Sequence, residues 1–329
     1  MITRYDTKNS NRHQSGVTMV ELLVALAIGS FLMIGAVQVY NQSRQAYVIN
    51  DSIARVQETA QFAMDTVEAD LRMASNWGQN SRASSVNGHS EVGGAADPLN
   101  LVPPAGCGAN WAFNLLQPLA GSNNAYTLLC GSEGAAQANS DVFTTRRATV
   151  AAAPLEAGRI QIQTTRIQGE LFADGNMPTG FDALTSETHN LLVNSYYVAA
   201  SSTLIPGVPT LRRKMLIGGA GGPAIVDQEI APGVENMQLM LGVDVDEDNT
   251  VDRYVNPGDP IFIPGDAAFI PLARVMTARI WLVVRGITPE VGIQDNMNYQ
   301  PGDVVLGTYT DSFRRMQVSK TILLRNART

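Results

Sequence analysis

The run from Val17 to Val39 constrains this chain more than any other stretch. It is almost wholly apolar, and as a helix it spans roughly 35 Å at about 1.5 Å per residue. That length crosses a bilayer core of about 30 Å. One carboxylate, Glu21, interrupts the run near its start. A lone charge at such depth costs several kcal/mol unless something opposite in sign reaches it. A plain anchor would have an apolar residue there, so Glu21 reads as a functional group that awaits a positive charge.

The flanks say how the run is used. Residues 1–15 are polar, with Arg4, Lys8 and Arg12 against Asp6, and they end at Gly16. A secretory signal also has a basic start, but its cleavage site follows the apolar core and uses small residues. Here the processing point precedes the core, between Gly16 and Val17, and Val39-Tyr40-Asn41-Gln42 runs on without such a site. A cut there makes Glu21 the fifth residue of the mature chain, close to a new α-amino group. Gly16 to Ala25 thereby resembles the start of type IV prepilins and pseudopilins, which have a short basic leader, a Gly before the cut, a glutamate at the fifth mature position and a long apolar helix. Val17 departs from the Phe usual at the first mature position of major pilins.

That resemblance implies a prepilin leader over 1–16, cleavage by a prepilin peptidase, methylation of the new terminus and assembly through Glu21. Beyond Tyr40 the apolar face persists at helical spacing in Ile49, Ile53, Val56, Ala60, Ala63, Val67, Leu71 and Ala74, with Asp51, Arg55, Glu58, Asp65 and Arg72 between them. No proline falls between Val17 and Asp97. One helix over 17–76, apolar and transmembrane to about residue 40, is the expectation. Its second half would then pack on a folded domain.

Residues 77–140 are rich in Gly, Ser, Asn and Ala, and read as an irregular connecting region. They contain both cysteines of the chain, Cys107 and Cys130. With the basic leader held in the cytoplasm, this region faces an oxidising compartment, where a disulfide is the expected state and free buried thiols the alternative. No cluster of His or Cys accompanies the pair to make a metal site.

Strand patterns dominate 141–329. They fall at 141–147, 159–164, 192–199, 210–217, 234–245, 274–285 and 314–324. Arg279, Trp281, Val283 and Arg285 alternate with Ile280, Leu282 and Val284. Turn residues separate the segments, among them the glycines at 218–222, which read as a hairpin rather than a phosphate cradle because no Lys-Ser/Thr helix start follows. The class is α+β: one long N-terminal helix on a mostly antiparallel sheet domain. The runs Gly233–Asp246 and Ala278–Arg285 and the ending Leu323-Leu-Arg-Asn326 are similar to the PilW-type minor pilins, which are related to the J-type pseudopilins of type II secretion.

The resemblance implies a non-catalytic minor pilin that helps initiate pilus assembly, within a tip-located complex. It would be inner-membrane with its C-terminal domain periplasmic, then carried to the pilus tip, with the prepilin peptidase, other minor pilins and the major pilin as partners. A secretion pseudopilin, or a tip adhesin that binds a ligand, are the alternatives. Catalytic motifs are missing: His13 lies in the leader, and His89 and His189 stand in polar, loop-like contexts. Formal charge is −7, and loss of a leader with three basic residues and one acidic takes it to −9. Such a chain offers no general surface for nucleic acid. The basic pairs Arg146-Arg147, Arg212-Arg213-Lys214 and Arg314-Arg315 read as solvated faces or edge protection.

One loop carries metal-ligand spacing, though no cofactor is required. Asp244, Asp246, Asp248 and Asp252 occupy positions one, three, five and nine of a loop. Ca²⁺ takes six to eight oxygen ligands, and EF-hand loops wrap it with carboxylates in this order. Asn249 supplies a residue tolerant of the left-handed conformation. Val255 stands where the bidentate Glu is expected, so Asp259 or another segment would complete the shell. An acidic hairpin tip kept soluble by its charges is the competing account.

Overall fold

The apolar spacing that runs from Val17 to Ala74 becomes one helix, α1 (Met19–Met73), in the computed structural model, which describes residues 16–90, 101–271, 273–290 and 292–327. The expected leader falls almost wholly outside them. The chain divides into two units at Ser52/Ile53, within α1. In the first unit nearly every described residue is exposed, including Val20, Leu23, Leu26 and Phe31.

In the second unit α1 buries Val56, Ala60, Ala63, Val67 and Leu71, and Ala74 just beyond it, at spacings of three and four residues. These are one stripe of a 3.6-residue helix. Burying one such Val or Leu side chain is worth about 1.5–3 kcal/mol. The stripe packs against residues of two sheets, among them Tyr196 and Val198 of one and Leu239, Ile280 and Leu282 of the other.

The strands in chain order are β1 (Val86–Asn87), β2 (Leu119–Ser122), β3 (Val142–Ala148), β4 (Gln161–Thr164), β5 (Gly169–Phe172), β6 (Glu187–Ala199), β7 (Thr210–Ile217), β8 (Ala224–Pro232), β9 (Val234–Asp244), β10 (Arg253–Val255), β11 (Arg274–Arg285) and β12 (Arg315–Leu323). A short helix, α2 (Ala109–Phe113), precedes β2. The first sheet runs β1-β5-β4-β6-β3-β2, with β7 on β6 and β8 on β7; the second runs β10-β9-β11-β12. All pairings are antiparallel except β1 with β5. The glycines at 218–222 lie in the β7–β8 hairpin, where Ile217 pairs with Ala224.

Successive side chains of a strand point to opposite faces, and the first sheet is covered on both. On β6, Tyr196 and Val198 join the core under α1, while Leu191 and Val193 join a second core on the other face. That second core is built with Trp77, Trp111, Phe113 and Leu115. Residues 77–140, expected as an irregular connection, thus supply two short strands, α2 and half the partners of a buried layer. Low regularity in sequence hid this, because isolated large apolar residues in a Gly- and Asn-rich stretch have no period to read.

The two covered faces also correct the expectation for the basic pairs. Arg146, Arg212, Lys214 and Arg315 are buried. Arg212 meets Asp227, Glu229 and Glu133, Lys214 meets Asp227, and Arg315 meets Glu235, Asp295 and Asp311. Alternation told which residues share a face, but not that carboxylates of β8, of β9 and of Glu133, Asp295 and Asp311 outside the strands would come to lie beside these basic side chains.

Candidate functional site

The N-terminal motif begins at a helix start. Thr18 caps α1: its hydroxyl accepts a hydrogen bond from the Glu21 amide at 3.3 Å, and Glu21 Oε2 accepts from the Thr18 amide and hydroxyl, both at 2.9 Å. This is a reciprocal capping box, which satisfies amides that the first helical turn leaves unpaired. The sequence signal for this role of Thr18 is the Thr-x-x-Glu spacing to Glu21. Gly16 has open space where a Cβ would stand, so nothing in the fold itself requires a glycine there. Gly16, Val17 and Glu21 are all exposed. Among the described residues Glu21 has no cation beside it. From Met19 onward α1 is long and apolar enough to cross a membrane, and its apolar stretch is exposed among the described residues.

Cys107 and Cys130 are joined in a disulfide. It closes 23 residues of the segment that carries α2 and β2. Cys107 is buried in the second core, and the Cys130 carbonyl accepts from the Tyr126 hydroxyl at 2.6 Å.

The acidic loop follows β9. The structure brings the carboxylates of Asp244, Asp246 and Asp252 within 4.8 Å of one another. Asp248 is not in this group: the Thr250 hydroxyl and amide bond its carboxylate at 2.6 and 2.7 Å and hold its pKa below the usual value. Asp259 is also engaged elsewhere, accepting from the Ile261 amide at 3.0 Å. Asp244 is fully buried and organises the turn. Its oxygens accept from the amides of Glu247 and Asn249 at 2.7 and 3.0 Å, and the Arg274 guanidinium lies 3.3 Å away. Asn249 adopts the expected left-handed conformation at φ 64°.

The two described histidines serve the fold. His189 is buried and its Nδ1 bonds the Thr149 carbonyl at 2.8 Å; His89 Nδ1 bonds the Val86 carbonyl.

Comparison with known families gives two matches. Residues 195–326 match the family described as Type IV Pilus-assembly protein W, and residues 11–37 match the Prokaryotic N-terminal methylation motif. The first takes in the chain from within β6 to just beyond β12, the second Gly16 to Glu21 and the apolar start of α1. No curated protein and no solved structure matches the chain.

Proposed function

We propose that this chain, whose residues 195–326 match the family described as Type IV Pilus-assembly protein W and whose residues 11–37 match the N-terminal methylation motif, is a non-catalytic minor pilin that helps initiate assembly of a type IV pilus, within a complex at the tip. The single observation that carries this is a capped helix start with an exposed carboxylate, Glu21, leading an apolar helical stretch left uncovered by the described residues. Such a stretch has two environments open to it, lipid before assembly and the helices of neighbouring subunits after it. In either, burial of Glu21 is costly until a cation meets it.

A prepilin peptidase would cut after Gly16 and expose the Val17 α-amino group. In the assembled state Glu21 of one subunit would pair with the α-amino group of another. The unit from Ile53 onward would remain on the far side of the inner membrane from the leader, available to the other minor pilins and the major pilin.

Two variants test this. Gly16→Val is expected to leave the precursor uncut by intact mass, because the peptidase must seat a residue without a side chain. Glu21→Ala is expected to be cut normally and yet fail to support surface pili. Wild-type piliation with processed Glu21→Ala would reject the priming role. Normal piliation with lost adhesion on deletion of the gene would favour the adhesin, and loss of secretion with pili intact would favour the pseudopilin.

A further inference from the structure

Four basic side chains are buried in the described structure: Arg146, Arg212, Lys214 and Arg315. Three of them have carboxylate partners. Arg146, on β3, has none among the described residues. Its Nε donates to the Trp111 carbonyl at 2.8 Å, Nη1 to the Gln117 carbonyl at 2.6 Å and Nη2 to the Asn110 carbonyl at 3.4 Å. A guanidinium has five N–H groups, so two remain, and no described carboxylate neutralises its charge. Burial alone lowers its pKa to about 10. Water can satisfy the spare N–H groups but brings no counter-charge.

Arg146 lines a cleft of about 250 Å³ together with Asn110, Trp111, Asn114, Ser122 and Thr144. The volume is below the range of about 300–1,000 Å³ typical of drug-sized ligands. Asn114 is also buried, and although its Nδ2 donates to Gln117 Oε1 at 3.3 Å, its Oδ1 has no hydrogen-bond partner. A buried acceptor without a donor is a second vacancy of the opposite kind. The Cys107 end of the disulfide forms part of the wall, which ties the cleft to the oxidised form.

We propose that this cleft binds a small hydroxylated carboxylate, its carboxylate taken by Arg146 and a hydroxyl donating to Asn114 Oδ1. A sugar acid and an aliphatic hydroxy acid share that chemistry. Neither the pilin fold nor the priming role depends on it.

The test is calorimetric titration of the full processed chain in detergent micelles with galacturonate, lactate, galactose and propionate. Saturable binding of galacturonate at least about tenfold tighter than that of galactose or propionate is expected, a difference of about 1.4 kcal/mol. Lactate matching galacturonate identifies the ligand class as hydroxy acids, and lactate weaker than galacturonate identifies it as sugar acids. Arg146→Met should abolish binding. Because that variant risks misfolding, Asn114→Ala provides the second arm: it should bring galacturonate down to the affinity of propionate while leaving the melting temperature within a few degrees of wild type. Absence of saturable binding by both acids, equal binding of galactose, or unchanged galacturonate affinity in folded Asn114→Ala would overturn the proposal.

Discussion

Asp70 of the long helix and Arg147 of β3 meet inside the protein, with Oδ1 2.8 Å from Nη2 and 3.1 Å from Nε. The other Asp70 oxygen accepts from Asn194 Nδ2 and the Tyr196 hydroxyl, each at 2.6 Å. One carboxylate therefore joins α1 to two neighbouring strands, and it pushes the Tyr196 hydroxyl, already raised by burial, further above its usual pKa. Asp70→Ala would leave a half-buried guanidinium, a buried amide and a buried phenol without their acceptor. Breaking a buried pair in this way costs about 3–5 kcal/mol. We expect a large fall in melting temperature for Asp70→Ala, and a smaller one for the double variant Asp70→Ala with Arg147→Met, because no orphaned charge remains. Equal losses in the two would show that the pair is not the source of the effect.

The disulfide restrains the segment that covers the second face of the first sheet. Closing a loop of this size stabilises by about 3 kcal/mol in the chain-entropy account. Replacing Cys107 and Cys130 together by Ser is expected to lower the unfolding free energy by about that much in urea titration. The near-ultraviolet signal of Trp111 should weaken with it, since Trp111 packs in the same core. An unchanged denaturation midpoint would count against a restraining role.

The acidic loop is proposed as a calcium site of three carboxylates, Asp244, Asp246 and Asp252, rather than four. Ca²⁺–oxygen bonds of about 2.3–2.6 Å reach across the 4.8 Å that holds these groups. Calcium should raise the melting temperature, by an amount that corresponds to about 2.7 kcal/mol at a hundredfold excess over Kd; Mg²⁺ should do less, because it demands tighter geometry. Asp246→Ala should abolish the response, and Asp248→Ala should leave it intact. Calorimetry without heat at millimolar Ca²⁺ would return the loop to a solvated acidic tip, held by Asp244 and Arg274.

Asp141 carries a pH dependence. Burial pushes its pKa up to about 7, with Asp303 adding to the rise, although the amides of Asn124 and Leu239 pull it down. Between about pH 4, where an unfolded Asp ionises, and about pH 7, the folded state alone keeps the proton. Asp141 therefore favours the fold fully at the acid end of this window. That contribution is lost as pH rises to about 7 and is flat above it. Melting curves should show wild type losing stability relative to Asp141→Asn between about pH 4 and about pH 7, and no further divergence above it. Parallel curves for the two proteins would refute the shift.

The sequence by itself determined everything whose signal is local or periodic. The stripe from Val56 to Ala74 lies along one helix and its first turn beyond, and β7 and β11 occupy the segments that alternation marks. The motif at Gly16, Val17 and Glu21 is legible because a lone carboxylate in an apolar run has few physical explanations. Thr18 was equally legible through its spacing to Glu21. Tertiary structure decided which faces are covered and by what. Arg146 and Arg147 are neighbours in the chain, yet the strand sends one to the carbonyls around α2 and the other to Asp70 on α1. Asp248 has the spacing of a metal ligand, and a local bond to Thr250 removes it from the cluster. Spacing along a chain reports which side chains share a direction. What waits in that direction comes from segments tens of residues away, so burial, charge pairing and the cleft at Arg146 exist only once the chain has folded.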